Sequence, residues 1–283
     1  MLDVALASCV RLPEPDPDQP LLEAALARRG LAAATMAWDD PAAPWAAARL
    51  TVLRSTWNYP HRPQEFLAWV ERTSRVSVVW NPVPVVRANL HKSYLLDLQH
   101  RGIPVVPTRL VARASAVTLR EAAGDWHTVV VKPAVSAASL DTVRAERGAA
   151  EGEAHLRRLL AKGDALVQPY LPSVEDVGER ALVSVDGALT HAVRKRPRFA
   201  AEEESVSPAL PIEADERRLA ESALATVESP LLYGRVDVAR GADGRPLVME
   251  LELIEPSLFL LQHPPALERL ADAILRLRRG ANS

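Results

Sequence analysis

The sequence predicts an α/β protein that turns into an α+β protein in its C-terminal half. In the N-terminal third, apolar strand-like runs alternate with amphipathic helical segments, which is the pattern of a parallel sheet. Further along, Asp186-Gly187 between two apolar runs is a strong hairpin signal. A second hairpin is expected around the turn 241–245, because the segments on both sides alternate charged and apolar residues.

The N-terminal unit, residues 1–88, is expected to form the parallel sheet. Its strands and helices are expected at Val4–Ala7, Pro20–Arg29, Ala34–Ala37, Leu50–Leu53, Pro63–Arg72 and Val76–Trp80. Gly30 follows the first helix and is the residue type that most often ends one. Ligands of such sheets bind at the carboxyl ends of the strands, so the loop 54–60 is expected to face a ligand.

A second unit, 89–163, and a third unit, 164–283, are expected to follow. Asn89 is expected to cap a helix over Leu90–Arg101, which Gly102 would end. The remaining elements are expected at Ser115–Ala122, Thr128–Lys132, Ala150–Leu160, 165–170, Ala214–Val227, Leu232–Arg240, Leu247–Ile254 and Pro265–Arg278.

The composition excludes several classes of protein. The 34 Lys and Arg against 36 Asp and Glu leave a net charge of −2, which gives no global attraction to nucleic acid or to an anionic membrane. Cys9 is the only cysteine, so no disulfide can form within the chain. No apolar stretch approaches the length of a membrane span, and the start lacks the basic region of a secretion signal. We therefore expect a cytoplasmic protein.

Three carboxylates are expected on one face of the C-terminal hairpin. Glu250 and Glu252 are two apart in one strand and therefore point the same way, and Asp237 can lie across from them in the other strand. Such a cluster repels itself unless a cation lies in it, and hard oxygen ligands suit Mg²⁺. The same pattern fits a solvent-exposed outer face of a hairpin equally well.

The order of these motifs resembles the ATP-grasp superfamily over nearly the whole chain. Lys92 matches the lysine that opens the family's nucleotide region, and Lys132 matches the lysine that ends a strand of its central domain. Val167-Gln168-Pro169-Tyr170 matches the strand and hinge that hold adenine. The resemblance implies an N-terminal Rossmann-like domain with a parallel sheet, a mobile central lid domain and a C-terminal domain with an antiparallel sheet.

The resemblance also implies the cofactors ATP and Mg²⁺. The expected nucleotide contacts are Lys92, Lys132, Ser136, Ser139, Gln168, Pro169, Tyr170 and Glu175. Glu175 would hold the ribose, although Asp176 and Glu179 are neighbouring candidates. The expected metal ligands are Asp237, Glu250 and Glu252, where the family usually has Asn at the last position. The loop 134–139 has no glycine, unlike the family's phosphate loop.

A narrower resemblance links the chain to a subgroup that includes the D-cycloserine-forming ligase, which closes O-ureido-D-serine into a ring with ATP. The motifs that carry it are Asp16-Pro17-Asp18, Trp38-Asp39-Asp40, 54–59, 191–197 and 250–257, with Asn58 where the pattern has Asp. The expected substrate contacts are Asp16, Asp18, Arg54, Ser55, Thr56, Trp57, Glu255 and Ser257. Arg54 would bind a carboxylate, and Asp16 and Asp18 an amine. The alternatives are a capped turn and a solvent-exposed proline-rich loop.

Arg194, Lys195 and Arg235 are the expected catalytic residues. In this interpretation Arg194 and Lys195 reach the ATP phosphates or the acyl phosphate. The alternative, a solvated strand end, is preferred for the neighbouring Arg196 and Arg198. Nucleic-acid binding through this cluster is a poor hypothesis, because no aromatic platform lies beside it.

These observations together predict an ATP- and Mg²⁺-dependent carboxylate–amine ligase that acts through an acyl phosphate on a small amino-acid-like substrate. Intramolecular ring closure is the second hypothesis. A nucleotide-binding protein of the same fold without turnover is the third, and the glycine-free loop and Glu252 support it. The resemblance further implies a role in antibiotic or secondary-metabolite biosynthesis, no nucleic-acid or membrane partner, and a possible homodimer.

Overall fold

The computed structural model of the protein describes residues 2–137, 140–176, 178–196 and 205–280, and in them the strands form three four-stranded sheets. One sheet is parallel and the other two are antiparallel. The change from α/β to α+β along the chain is therefore confirmed. No helix among the described residues is long and apolar enough to cross a membrane.

The N-terminal sheet has the strand order β2-β1-β3-β4 and is parallel throughout. Its strands are β1 (Leu2–Ser8), β2 (Ala33–Ala37), β3 (Ala48–Leu53) and β4 (Val78–Trp80), with helices α1 (Asp18–Arg28) and α2 (Pro63–Thr73) between them. Val4 to Ala7 of β1 are fully buried, as expected for a strand covered on both faces. The alternating pattern of the sequence predicted this sheet correctly.

Two short helices, α3 (Val83–Asn89) and α4 (Tyr94–His100), link this sheet to the rest of the molecule. The helix predicted over Leu90–Arg101 is confirmed in its second part, which is α4 and ends before Gly102, but its predicted start after Asn89 is wrong. Asn89 ends α3, where its Nδ2 donates to the carbonyl of Leu251 at 2.7 Å and its Oδ1 accepts from the amide of Leu253 at 2.9 Å. The side chain pairs with a distant strand, so it is not free to cap a helix.

The central sheet is antiparallel, with the order β5-β8-β6-β7. Its elements are β5 (Arg109–Val111), α5 (Leu119–Ala123), β6 (Thr128–Pro133), β7 (Val143–Glu146), α6 (Ala150–Leu160) and β8 (Ala165–Pro169). Because β8 pairs with β5 and β6, the predicted boundary at residue 163 cuts this sheet. Thr118 and Glu121 form a capping box that starts α5 later than the sequence suggested.

The C-terminal sheet is antiparallel, with the order β10-β9-β11-β12. Its elements are α7 (Ser173–Asp176), β9 (Glu179–Val185), β10 (Ala188–Lys195), α8 (Ala214–Leu224), β11 (Tyr233–Arg240), β12 (Pro246–Glu252) and α9 (Pro264–Gly280). Asp186 and Gly187 form the turn between β9 and β10 with φ of 51° and 74°. Both predicted hairpins are confirmed, and the second one places its carboxylates at the centre of the molecule.

The buried cores show how the sheets are joined. One hydrophobic cluster combines residues of the N-terminal sheet and its first helix, such as Leu6 and Leu26, with Val183 of β9 and Leu270 of α9. A different cluster, with Val129, Leu156 and Val167 among its members, lies within the central sheet and its helices. The central sheet therefore has a core of its own.

Candidate active site

A cavity of about 240 Å³ lies where the central and C-terminal sheets meet. Residues of β6, β8, β10, β11 and β12 line it, together with residues of the loops 14–17, 133–137 and 253–257. Its wall carries many charged side chains, and most of the residues expected to bind nucleotide or metal lie there. The cavity is therefore the candidate active site.

The acidic hairpin forms one wall of this cavity. The strand register places Asp237 opposite Glu250 and Arg235 opposite Glu252. A β-bulge follows Asp237 and shifts the register of the hairpin there. Asp237 is fully buried, whereas Glu250 and Glu252 are partly open to the cavity. The two strands therefore bring all three carboxylates close together, as expected.

Two cations neutralise Asp237. Arg235 donates to it through Nε at 2.7 Å and through Nη2 at 2.8 Å, and Lys195 Nζ lies 2.7 Å from its second oxygen. Lys195 also pairs with Glu179 at 2.6 Å, and Arg235 with Glu252. Burial opposes the ionisation of Asp237, but Arg235 and Lys195 outweigh it and lower the pKa of this carboxyl. Arg235 and Lys195 thus lie at the acids, and their expected catalytic roles stay predictions.

The two lysines expected to contact nucleotide have different surroundings. Lys92 forms an ion pair with Glu250 and donates to the carbonyl of Ser136 at 2.9 Å. Lys132 lines the cavity with a side chain only 8% exposed, and it makes no hydrogen bond or ion pair with any residue that the structure describes. Burial lowers the pKa of its ammonium group. An anion is the partner that this group lacks.

The acids of the hairpin provide the hard oxygen donors that Mg²⁺ prefers. Among the described residues, no three Asp, Glu, His or Cys side chains converge as a metal-binding set, because each acid is turned toward a cation. Burial and the neighbouring Asp237 raise the pKa of Glu252 to about 7 despite Arg235. The donor chemistry fits a divalent cation.

Another part of the cavity wall is apolar. Val106, Val130, Leu171 and Val174 line it beside Gln168, Pro169 and Tyr170, and Met249 of β12 adds a further apolar side chain. Sequence reasoning singled out residues 168–170 but missed the apolar residues, since single buried Val, Leu and Met residues carry no distinguishing signal. Gln168 has its amide bound to Thr108 Oγ1 at 2.8 Å, which fixes the start of the hinge.

The expected ribose ligand, Glu175, is held by Arg144. The Arg144 Nη1 lies 2.6 Å from its carboxylate, and the guanidinium lies over the Tyr170 ring at 4.0 Å. Arg144 and Tyr170 line the cavity, whereas Glu175 lies just outside its lining among the described residues. Arg144, which the sequence did not single out, therefore connects Glu175 to the cavity.

The basic cluster on β10 divides between two faces. Lys195 and Arg196 line the cavity, but Arg194 is exposed and outside the cavity lining in the described stretches of the chain. The expectation for Arg194 is corrected by the two-residue alternation of the strand, which turns it away when Lys195 points inward. Arg196 follows the end of β10, so the strand alternation does not fix its direction; it is exposed, as the solvated alternative expects, and it also borders the cavity. Ser139 and Arg198 lie outside the described residues.

Asp18 has a structural task instead of the expected contact with a substrate amine. Its side chain is 2% exposed and accepts the backbone N–H groups of Leu258, Leu260 and Leu261 at 2.8–3.2 Å. Asp16 accepts the amide of Asp18 at 3.0 Å. Both carboxylates thus organise the loops around the start of α1, and neither lines the cavity within the described chain.

Arg54, Ser55 and Thr56 are almost completely buried behind the cavity wall. Arg54 donates to the carbonyl of Pro256 at 3.3 Å and lies 3.9 Å from Asp18, while its Nε and Nη2 have no hydrogen-bond partner among the described residues. Ser55 donates to Gln19 at 3.1 Å. These contacts stabilise the loop 253–261, and they do not bring the guanidinium to the cavity.

Trp57, Glu255 and Ser257 do line the cavity, as expected for substrate contacts. Trp57 Nε1 donates to the carbonyl of Glu255 at 2.9 Å, which connects the N-terminal unit to the loop after β12. Asn58 accepts from Trp38 Nε1 at 2.6 Å and donates to Asp39 at 2.8 Å. Asn58, which stands where the subgroup pattern has Asp, therefore makes both of these hydrogen bonds within the N-terminal unit.

Comparisons with known proteins identify the relatives of this chain. A family model described as the N-terminal domain of the D-cycloserine synthetase DcsG matches residues 4–81. The cycloserine biosynthesis protein DcsG of Streptomyces lavendulae is 37% identical over an alignment of 278 positions, and the match covers 92% of this chain and 93% of that protein. The crystal structure of D-cycloserine synthetase DcsG is 35% identical, with a TM-score of 0.89, and the match covers 97% of this chain and 99% of that one.

A more distant structure has the same fold. It is the ATP-grasp ligase PsnB in complex with a phosphomimetic variant of its minimal precursor, Mg and ADP. It is 19% identical, with a TM-score of 0.63 and 98% of each chain covered. By its similarity to DcsG along nearly its whole length, this chain belongs to the ATP-grasp ligases and, among them, to the family of the D-cycloserine synthetase DcsG.

Proposed function

We propose that the protein is an ATP- and Mg²⁺-dependent carboxylate–amine ligase that acts through an acyl phosphate on a small amino-acid-like substrate. The observation that carries this proposal is the buried Lys132, which lines the cavity without an anionic partner among the described residues. A buried cation gains most from a fixed counter-ion. The phosphates of ATP would supply that charge beside Lys92 and the acidic hairpin.

The cavity also offers surfaces that suit the adenine, the ribose and a further phosphate contact of ATP. The apolar wall around Val130 and Met249 fits an adenine base, and the hinge 168–170 runs along the same wall. Glu175 would hold the ribose once its carboxylate is shared with, or released from, Arg144. Ser136 is buried next to Lys92, which suits a contact with phosphate.

Asp237, Glu250 and Glu252 would hold Mg²⁺. A magnesium ion held by these residues would offset the negative charge of the transferring phosphoryl group. Lys92, Lys195 and Arg235 now pair with these carboxylates, so the same cations are available to phosphate oxygens when the metal takes their place at the acids. The residues present therefore support both halves of an Mg²⁺–ATP site.

The chemistry needs no nucleophile from the protein. A carboxylate oxygen of the substrate attacks the γ-phosphorus of ATP, the bond to the β–γ bridging oxygen breaks, and ADP leaves. An amine nitrogen then attacks the acyl carbon, the bond to the phosphate oxygen breaks, and the nitrogen loses a proton. The contribution of the protein is to position the reactants and to stabilise negative charge, for which Lys195 and Arg235 are placed.

Ring closure within one substrate molecule is the second candidate. The observation that favours it is the 37% identity with the cycloserine biosynthesis protein over 92% of the chain. An amine and a carboxylate of the same molecule would then react, and no second substrate would enter. The compartment that supplies ATP is the cytoplasm, so we place the enzyme there, and the expected homodimer stays a prediction.

The first experiment measures ADP and phosphate release with Mg²⁺–ATP against D- and L-amino acids, including O-ureido-D-serine, with mass spectrometry of the products. Turnover with one acid supports the ligase, and a product that joins two molecules excludes ring closure. Tight ATP binding without ADP release across the whole panel would favour a nucleotide-binding protein without turnover.

The variant Glu250→Gln tests the assignment of the site. Its neutral amide removes a metal ligand and the partner of Lys92, so we expect ADP release to fall by at least about 100-fold, an effect typical of losing transition-state electrostatics. Circular dichroism and the unfolding midpoint check that the fold is kept. Glu65→Gln, at an exposed position of α2, is the matched control and should keep full activity. Full turnover by Glu250→Gln would remove this residue from the metal site.

A further inference from the structure

The carboxyl group of Glu255 has no assigned partner in the site described above. The residue lies in the loop after β12, is 7% exposed, and lines the cavity. No residue that the structure describes donates a hydrogen bond to its carboxyl oxygens or pairs with it within 4 Å. Its backbone is fixed, because its carbonyl accepts from Trp57 Nε1 at 2.9 Å. A buried polar group held in this way next to a cavity lacks a ligand.

The charges around Glu255 indicate the sign of that ligand. Burial, and after it the neighbouring Glu252, raise the pKa of Glu255 to about 8, although Lys92 and Arg235 act in the opposite direction. Both cations already form ion pairs, Lys92 with Glu250 and Arg235 with Asp237. A positively charged ligand would therefore be stabilised here, whereas another anion would add to the repulsion.

The surroundings favour an organic cation over a second metal ion. Trp57 lines the cavity beside Glu255, and its Nε1 donates to the Glu255 carbonyl. The indole of Trp57 is an apolar and π-rich group of the kind that an ammonium group tolerates. Of the acids first expected to bind an amine, Asp18 is used by backbone amides. Asp16 accepts one amide and has a buried Oδ2 without a hydrogen-bond partner among the described residues, but it does not line the cavity there.

We propose that Glu255 binds an ammonium group of the substrate, beside Trp57, and so selects amine-bearing carboxylic acids over their hydroxy and N-acylated counterparts. This inference rests on the proposed ligase function and specifies its substrate class. The two unpaired groups of the cavity then have complementary tasks: Lys132 binds the anionic nucleotide and Glu255 binds the cationic end of the substrate.

Calorimetric titration in the presence of Mg²⁺ and a non-hydrolysable ATP analogue tests the inference without turnover. The probes are O-ureido-D-serine and D-serine, each compared with its α-hydroxy analogue, which differs in the ammonium group alone. We expect the wild type to bind at least one of the two amines, and to bind it at least about tenfold more tightly than the corresponding α-hydroxy analogue. A difference of that size corresponds to one charge-assisted contact. Equal affinity for amine and hydroxy probes, or no binding of either amine while the nucleotide analogue binds, would overturn it.

Three variants identify the residue. Glu255→Gln keeps the shape but removes the charge and should reduce the amine preference to less than threefold, with nucleotide affinity unchanged. Glu255→Asp should restore part of the preference, and the exposed Glu65→Gln should keep all of it. If Glu255→Gln instead weakens Mg²⁺ binding and leaves the amine preference intact, Glu255 is a metal ligand. Loss of nucleotide-analogue binding in the wild type would contradict the ligase proposal, not the ammonium site.

Discussion

At the scale of single residues, His191 shows how burial sets the protonation state of a group outside the active site. It lies on β10, is 2% exposed, and stacks on His263 with ring centroids 4.5 Å apart. Its Nε2 has no hydrogen-bond partner among the described residues, while its Nδ1 contacts Thr190 Oγ1 at 2.9 Å. Burial first, and then His263, lower the pKa of His191 to about 4. The folded protein therefore holds this imidazole neutral.

This depressed pKa predicts a loss of stability in acid. Between about pH 6.5 and pH 4 the unfolded chain binds a proton at His191 that the folded chain does not, so folding stability falls as the pH falls through this window. The total is about 3 kcal/mol from 1.36 kcal/mol per pKa unit. Urea unfolding at pH 7.5 and pH 4.5 should show a smaller pH effect in His191→Gln than in the wild type. The exposed His61→Gln is the control, and an unchanged pH effect in His191→Gln would contradict the assignment.

Individual site residues were predictable where strand periodicity decides their direction and unpredictable where a loop decides it. Asp237, Glu250 and Glu252 follow from alternation along two strands. Asp18 and Arg54 carry the residue types of a substrate site, yet the chain folds the loop 253–261 over them and uses their polar atoms to support it. Residue type alone does not tell whether a charged side chain lies in a cavity or behind its wall.

At the scale of elements, Asn89 joins α3 to the edge of β12. Its amide donates to Leu251 and its carbonyl oxygen accepts from Leu253, so it continues the hydrogen-bond ladder along the strand that carries Glu250 and Glu252. Tyr94 adds a third contact, because its hydroxyl accepts the amide of Leu251 at 3.2 Å. The edge of the acidic strand is thus held by side chains of the linker helices.

Asn89→Ala should disturb this strand and the acids on it. Two buried backbone groups lose their partners, so we expect the free energy of unfolding to fall by about 2–3 kcal/mol. The Mg²⁺ concentration for half-maximal ADP release should rise several-fold, because the strand carries the expected metal ligands. Asn58→Ala, which also removes two side-chain hydrogen bonds but in the N-terminal unit, should lower stability without changing the Mg²⁺ dependence. Equal Mg²⁺ effects in both variants would contradict a specific role for Asn89.

The elements themselves were predicted in proportion to their length and periodicity. The parallel strands, α6, α9 and both hairpins have patterns long enough to be recognised. β5 and β7, with three and four residues, were missed, whereas the equally short β4 was recognised because it lies in the longer apolar run Val76–Trp80. The helix expected after Asn89 failed for another reason: a distant strand competes for its cap, and no local signal reports that competition.

At the scale of the whole molecule, we propose three units with unequal coupling. The shared hydrophobic cluster joins the N-terminal and C-terminal sheets into a single cooperative body, since Leu6 and Leu26 pack in the same cluster as Val183 and Leu270. The central sheet has its own cluster on one face and contributes Lys132 and residues 168–170 to the cavity, while Leu166 on its other face packs in a cluster with Leu182 and Val236 of the C-terminal sheet. A domain with a separate core can move over a nucleotide without breaking the rest of the fold, as a lid must. The order of the units was predictable from the sequence, but the cores that couple them depend on tertiary contacts.

Hydrogen exchange of two matched leucine variants tests this division. Leu156→Ala on α6 and Leu26→Ala on α1 each remove a fully buried side chain, at a cost of about 2–5 kcal/mol. Because local openings expose only the unit whose core is weakened, Leu156→Ala should speed exchange by about 30-fold or more in peptides of residues 109–169 while β1 and β9 stay protected. Leu26→Ala should speed exchange in β1 and β9 together, because both strands share one core. Faster exchange across all three sheets in Leu156→Ala would mean that the central sheet does not open by itself. The central sheet could then act as a lid only through a hinge motion without local unfolding.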